Sequence, residues 1–233
     1  MFANIFNMAL AFKLNDHLYL RDPQDTELGR KIIEQGILLI DQLGFDLFTF
    51  RKLADAIGSA EASIYRYFEN KHKFLIYLTA WYWNWTEYRM DLMTHPSQSP
   101  SEKLRWCLRV LSEEKKKDPA FGFVDEEALS RIVILEQDKT YLTKWVDEDN
   151  RSGLFGGYKS ICRKMADLIR LCNPVYPHPN TLVSTIMVAS LQQIFYSQHL
   201  PSLTNLKPDL HEDLFKFLEH LMFSSISNTV DHA

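Results

Sequence analysis

Apolar residues recur at spacings of three and four along most of the chain, the period of helices with one buried face. Leu28, Ile32, Gly36, Leu39 and Leu43 mark such a face, and Gly44 ends it. Asp22-Pro23-Gln24-Asp25 reads as the start of that helix: an Asp cap, Pro at the first helical position and an acid in the first turn. A second helix is expected from Thr49 to Ile57, stopped by Gly58 in the left-handed region. A third short one follows from Ala60 to Phe68, and Asn70-Lys71 opens a long helix reaching about Met93. Ser99-Pro100-Ser101-Glu102 places Ser, Pro and Glu in capping-box positions. The helix it starts carries Leu104, Leu108 and Leu111 and is expected to end at Lys115-Lys116-Lys117, read as a solvated helix end that complements the dipole. Further helices are expected over 125–137, 139–149, 153–172, 179–199 and 209–227, with Pro201 and Pro208 separating the last two. Ahead of Pro23, the alternation of Phe12, Leu14, Leu18 and Leu20 around Asn15-Asp16 suggests a small hairpin.

The expected fold class is therefore all-α, with a three-helix head and a larger helical body. Its divisions are an N-terminal extension over 1–22, a head over 23–75 and a body over 76–233. Composition agrees: the chain has 233 residues, 46% hydrophobic and 24% charged, with only 8 glycines. The net charge of -4 means that any nucleic-acid affinity must come from a local basic patch. Cys107, Cys162 and Cys172 form no CxxC pair, which argues against a disulfide framework or a zinc cluster. The longest apolar stretch, Phe74 to Trp83, is about half of a bilayer span, and no basic leader precedes the N-terminal apolar residues. A soluble, cytoplasmic protein is expected.

Catalytic chemistry finds no foothold. His178, His199, His211 and His220 show no ligand pair joined by a carboxylate motif, so no metal is assigned. Gly153 and Gly156-Gly157 lack the pattern of a phosphate loop, and no Ser-His-Asp or Cys-His arrangement can be argued. Neither an enzyme nor a cofactor is expected.

Two short helices joined by a Gly turn and packed on a longer first helix make a helix-turn-helix. Phe45, Phe48, Phe50, Leu53, Ala54, Ile57, Ile64 and Phe68 would supply its core. Such a unit turns its second short helix outward, where the N-terminal half can enter a major groove. Glu61, Ser63, Arg66 and the hydroxyls of Tyr65 and Tyr67 lie on that helix, with Thr49, Arg51, Lys52, Lys71 and Lys73 around it. Phosphates would meet this rim of cations and hydroxyls, which positions a protein without reading sequence.

The stretch Gly44-Phe45, Thr49-Phe50-Arg51-Lys52-Leu53-Ala54, Gly58, Ser63-Ile64-Tyr65-Arg66-Tyr67-Phe68 and Lys71 resembles the N-terminal signature of the TetR family. The resemblance covers roughly residues 28–75, and the Tyr-x-x-Phe-x-x-Lys spacing makes it specific. It implies a homodimeric, ligand-responsive transcriptional regulator, usually a repressor, whose partners are an operator duplex and a small-molecule effector. It further implies Thr49 and Tyr65 as phosphate contacts, with Lys71 near a phosphate at the start of the fourth helix. Glu61, Ala62, Ser63 and Tyr67 fall where such proteins face base edges or sugars. Two departures stand out: Ala60 replaces the usual capping Ser, and Glu61 stands where a basic residue is common. The alternative is a helical small-molecule-binding or scaffold protein whose head has lost its affinity for DNA.

Trp81-Tyr82-Trp83-Asn84-Trp85 is apolar on more than one side, as for a helix buried on more than one side. It serves plain core packing, or some of its rings line an aromatic ligand pocket. Trp81, Trp85, Tyr88, Trp106, Trp145, Phe155, Tyr158 and Met165 are the candidates for that pocket. The last two helices are the candidate subunit interface, through Leu182, Ile186, Ala189, Leu214, Phe217 and Leu221, against the alternative of intramolecular packing alone.

Overall fold

The computed structural model describes residues 11–207 and 211–227. Among these, the regular elements are α1 (Glu27–Leu43), α2 (Phe50–Ile57), α3 (Glu61–Ile64), α4 (Lys71–Met93), α5 (Pro100–Ser112) and α6 (Glu126–Glu136). They continue with α7 (Asp138–Tyr141), α8 (Val146–Arg151), α9 (Gly156–Cys172), α10 (Pro179–His199) and α11 (His211–Ser227). The described residues contain no strand, and the fold is all-α as expected. None of their helices is long and apolar enough to cross a membrane.

Five expectations need correction, the first being that the third helix ends at Ile64 and gives way to a turn over 65–67, short of Phe68. The hairpin is a single 3-10 turn over Asp16–Leu18, because the Asn15 side chain accepts from the His17 N–H at 2.8 Å and closes the turn locally. The turn at Asp22-Pro23 is likewise a separate 3-10 piece, Pro23–Asp25. The chain extends at Thr26, whose hydroxyl caps α1 by accepting from the Gly29 N–H at 3.0 Å. The helix expected over 139–149 breaks into α7 and α8, since the backbone leaves the helical region at Leu142. Finally, α5 stops at Ser112, and the extended chain beyond it turns Lys115 inward to 6% exposure, leaving only Lys116 and Lys117 exposed.

The chain packs into two compact units, each discontinuous in sequence. The first takes residues 11–82 and 115–156, the second 83–114 with 157–207 and 211–227. In the first, Ile32, Ile33, Ile37 and Ile40 of α1 are buried, as are Phe48, Leu53, Ile64 and Phe68. The Phe74 ring lies at the centre, 4.9 Å from Phe68 and 5.7 Å from Phe48. Gly36 permits this: a Cβ there would sit 2.4 Å from the tip of that ring.

The stretch 115–156 is tied to α1–α4 by polar contacts. Arg131 forks onto Asp41 at 2.9 and 3.0 Å, Glu136 accepts the Phe45 N–H at 2.9 Å, and Lys139 pairs with Asp46 at 2.8 Å. Asp149, nearly buried, pairs with Lys73 at 2.7 Å and meets His72 at 3.4 Å. The N-terminal segment joins the same unit. Leu20 N–H donates to Tyr67 O at 2.8 Å, Asn15 donates to Ser152 O at 2.9 Å, and Phe12 stacks on Phe121 at 4.9 Å.

The second unit buries Trp83, Trp85 and Met90 of α4 with Leu104, Leu108, Ile161, Met165, Ile186 and Leu218. Ser99 caps α5 through the expected capping box with Glu102. Arg105 pairs with Glu219 at 2.6 Å, and the Arg109 guanidinium, 3.7 Å above the Phe215 ring, also pairs with Glu212.

Candidate nucleic-acid interface

Thr49 begins the interface. Its extended backbone lets the hydroxyl accept the Lys52 N–H at 3.2 Å, capping α2. Gly58 ends α2 in the left-handed region, φ 66 and ψ 38, and Ser59 N–H returns to Ala54 O at 3.0 Å. This tight turn sets α3 against α2. No side chain caps α3, because Ala60 occupies that position.

Ile64, Tyr67 and Phe68 point inward and fix the rotation of α3. Ala62, Tyr65 and Arg66 are exposed, while Glu61 and Ser63 are half-buried. Tyr65, 47% exposed, rests its ring edge-on against Phe50 at 5.2 Å, and its hydroxyl donates to Glu61 Oε1 at 3.4 Å. Thr49, Arg51 and Lys52 are exposed beside it, and Lys52 Nζ donates to Leu47 O at 2.8 Å. Thr49, Arg51 and Lys52 thus stand exposed at the start of α2, and Phe50 beside them links them to Tyr65, which follows Glu61, Ala62 and Ser63 of α3 and precedes Arg66.

Two residues expected at this surface stand elsewhere. Tyr67 is 3% exposed: its hydroxyl pairs with Thr26 Oγ1 at 2.8 Å and the Arg21 guanidinium lies 5.7 Å above its ring. Its spacing of three from Ile64, next to Phe68, already puts it on the inward stripe. Lys71 is half-buried, and its ammonium donates to Phe45 O, Asp46 O and Phe48 O at 3.1, 3.2 and 3.3 Å. All three donors are engaged, and the charge sits 4.8 Å above the Phe45 ring. Lys71 therefore clamps the α1–α2 loop. Beside it, the hydrogen bond from Lys139 holds the Asp46 carboxyl below its ordinary pKa.

The aromatic candidates divide between the units. In the first, Trp81 is buried 5.3 Å from both Phe12 and Phe121, and Phe155 lies 5.1 Å from Tyr141. Trp145 is 54% exposed under the Lys144 ammonium and does not face an interior. In the second, Trp85 and Met165 are buried, and Tyr88, Trp106 and Tyr158 are half-buried. Trp83, absent from the expected pocket, meets Tyr158 edge-on at 5.0 Å. A shallow depression in this unit, lined by Gln193, Ser197, Leu206, Lys207 and His211 among others, contains none of the expected rings.

The expected interface is also corrected in part. Leu182, Ile186 and Leu214 are buried within the chain's own second unit, so they pack its interior. Phe217 is 42% exposed, and Ala189 and Leu221 are half-buried. The apolar stripes of α10 and α11 each have an inner and an outer edge, and spacing alone does not separate them.

An all-helical chain with a capped α2, a Gly turn and an outward-facing α3 is a helix-turn-helix protein. Residues 32–78 match the family model described as bacterial regulatory proteins, tetR family. This segment is similar to the N-terminal domain of the TetR family, the resemblance that the signature residues implied. No curated protein matches the chain.

Solved structures match its fold along most of its length. AibR in complex with isovaleryl coenzyme A and operator DNA is similar at a TM-score of 0.57 with 16% identity, covering 83% of this chain and 98% of its own. The ketosteroid transcriptional regulator KstR2 of Mycobacterium tuberculosis gives 0.55 with 13% identity, covering 85% and 95%. The TetR family transcriptional regulator PfmR of Thermus thermophilus gives 0.55 with 12% identity, covering 82% and 97%.

Proposed function

We propose that this chain is a sequence-specific DNA-binding repressor that responds to a small-molecule effector and acts as a homodimer on a near-palindromic operator. The carrying observation is the exposure of Ala62, Tyr65 and Arg66 on and just after α3 and of Arg51 and Lys52 on α2, in a TetR-type N-terminal domain. Residues 23–75 act as the DNA-binding head. Thr49, Arg51 and Lys52 meet phosphates, which sets register, while the single O–H of Tyr65 is given to Glu61. Glu61, Ala62, Ser63 and Arg66 face base edges in the major groove. Tyr67 and Lys71 act one step back, holding α3 and the α1–α2 loop in place.

Dimerisation uses the outer edges of α10 and α11, where Val188 and Phe217 are exposed and Ala189 and Leu221 are half-buried. A two-fold pairing there brings the same patch of both protomers together. The effector binds among the buried aromatic side chains. Tyr77 and Trp81, one turn apart on α4, supply a hydroxyl and an indole N–H that have no hydrogen-bond partner among the described residues. The likeness to AibR, a complex with both an acyl coenzyme A and operator DNA, supports this pairing of ligands on one fold. Such an effector lowers DNA affinity only by binding the two head arrangements unequally.

Selection of duplexes from a random pool by the full-length protein tests this reading. Enriched sequences should carry inverted half-sites whose centres lie roughly 10–10.5 base pairs apart, or a multiple of that. Enrichment of unpaired half-sites would contradict the dimer, and no enrichment would contradict the head's function. The uncapped α3 and the engaged Lys71 favour one competing reading, a helical effector-binding protein whose head no longer binds DNA. Absent enrichment together with ligand binding would establish that reading instead.

A further inference from the structure

The outer stripe of α3 opens with an acid. Glu61 is its first residue, one turn ahead of Tyr65, whose hydroxyl donates to Oε1 at 3.4 Å. Tyr65 is the one hydrogen-bond partner of the Glu61 side chain among the described residues, and no described cation forms an ion pair with it. Glu61 is half-buried, and the Tyr65 hydroxyl holds one of its carboxylate oxygens.

An ionised carboxylate accepts hydrogen bonds and cannot donate. In the major groove guanine shows two acceptors, N7 and O6, and thymine shows O4 beside a methyl group, so both repel it. Adenine offers its N6 amino group, but the N7 acceptor stands next to it and faces the same carboxylate. Cytosine presents an amino donor, N4, with no acceptor of its own in the groove, and the neighbouring O6 of its paired guanine lies on one side only.

We propose that Glu61 is a specificity-determining residue that reads one cytosine in each half-site by accepting from N4, with the Tyr65 hydroxyl holding its carboxylate in position. The inference rests on the head binding DNA. It adds a second effect, because a carboxylate at the groove mouth repels phosphates on every sequence alike. Glu61 thus weakens non-specific binding while contributing to the specific complex, and the ratio between the two rises.

The test repeats the random-pool selection with the full-length wild type, Glu61→Gln and Glu61→Arg. Wild type should prefer cytosine at one column of each half-site by about tenfold or more over the next base. Glu61→Gln should move that column to adenine, which takes an amide bidentately through N6 and N7, and Glu61→Arg should move it to guanine. The other columns should stay as they are. Both variants should also bind a scrambled duplex more tightly than wild type, and circular dichroism should show them equally helical.

Identical columns for all three proteins would overturn the assignment of Glu61 while leaving the DNA-binding reading intact. A wild type that enriches no sequence would overturn both.

Discussion

Glu126 begins α6 with its side chain fully buried, beside Asp125, whose carboxylate caps the helix by accepting the Ala128 N–H at 2.9 Å. Glu126 Oε2 accepts the Asp118 N–H at 3.0 Å, while Oε1 has no partner among the described residues. Burial pushes the carboxyl up to about 7, against the lowering effect of that hydrogen bond. The folded protein then holds a proton that the unfolded chain releases near the ordinary glutamate value. Stability from this group is full below the unfolded pKa and falls as pH rises through the folded one. Glu126→Gln keeps an acceptor for Asp118 and removes the ionisation. Its melting temperature should match wild type near pH 5 and exceed it at pH 8. An equal difference at both pH values would contradict the argument. Neither the burial of Glu126 nor that of Lys115 is legible in the sequence, where both read as surface charge. Tyr67 was legible in principle, since its spacing from Ile64 outranks the attraction of its hydroxyl.

Among the elements, the α1–α2 loop shows how a family position can serve structure. Gly44 leaves α1 with φ 75, and the loop that follows turns three carbonyls onto the Lys71 ammonium. Lys71→Met should destabilise the protein by about 1–3 kcal/mol, the scale of hydrogen bonds to a charged group. It should leave the salt dependence of DNA binding unchanged. Arg51→Ala, at an exposed position of α2, should do the reverse: no loss of stability, and a salt slope smaller by about 1. Chemical denaturation and salt titration of the two variants check this. A reduced slope for Lys71→Met would return that lysine to the phosphates. Helix identity was largely legible, because capping signals at Ser99 and Thr49 and the glycine stops at 44 and 58 act within a few residues. The hairpin reading failed because the Asn15 side chain satisfies the backbone locally, and the 139–149 helix failed because its break at Leu142 carries no glycine or proline.

At the scale of the whole chain, the contacts that matter are remote in sequence. Residues 115–156 pack with the head through Arg131, Glu136 and Asp149, whose partners lie 76 to 91 positions away. Helical periodicity reports that a face is buried and is silent about what buries it. The same silence explains why Leu182, Ile186 and Leu214 read as interface when their own unit covers them. The head was legible because a turn glycine, an outward helix and aromatic core positions all fall within some thirty residues. The surroundings of the proposed effector were not, because ring-rich helices pack cores and line pockets with one composition.

Every functional role proposed for this chain depends on a head that binds DNA and reads its sequence. Fluorescence anisotropy of the full-length protein against its own upstream duplex and a scrambled duplex, across salt, tests that claim most directly. Binding to the first duplex should be tighter, with affinity for both falling as salt rises through counterion release. Equal, salt-insensitive binding to the two duplexes, or none to either, would contradict it.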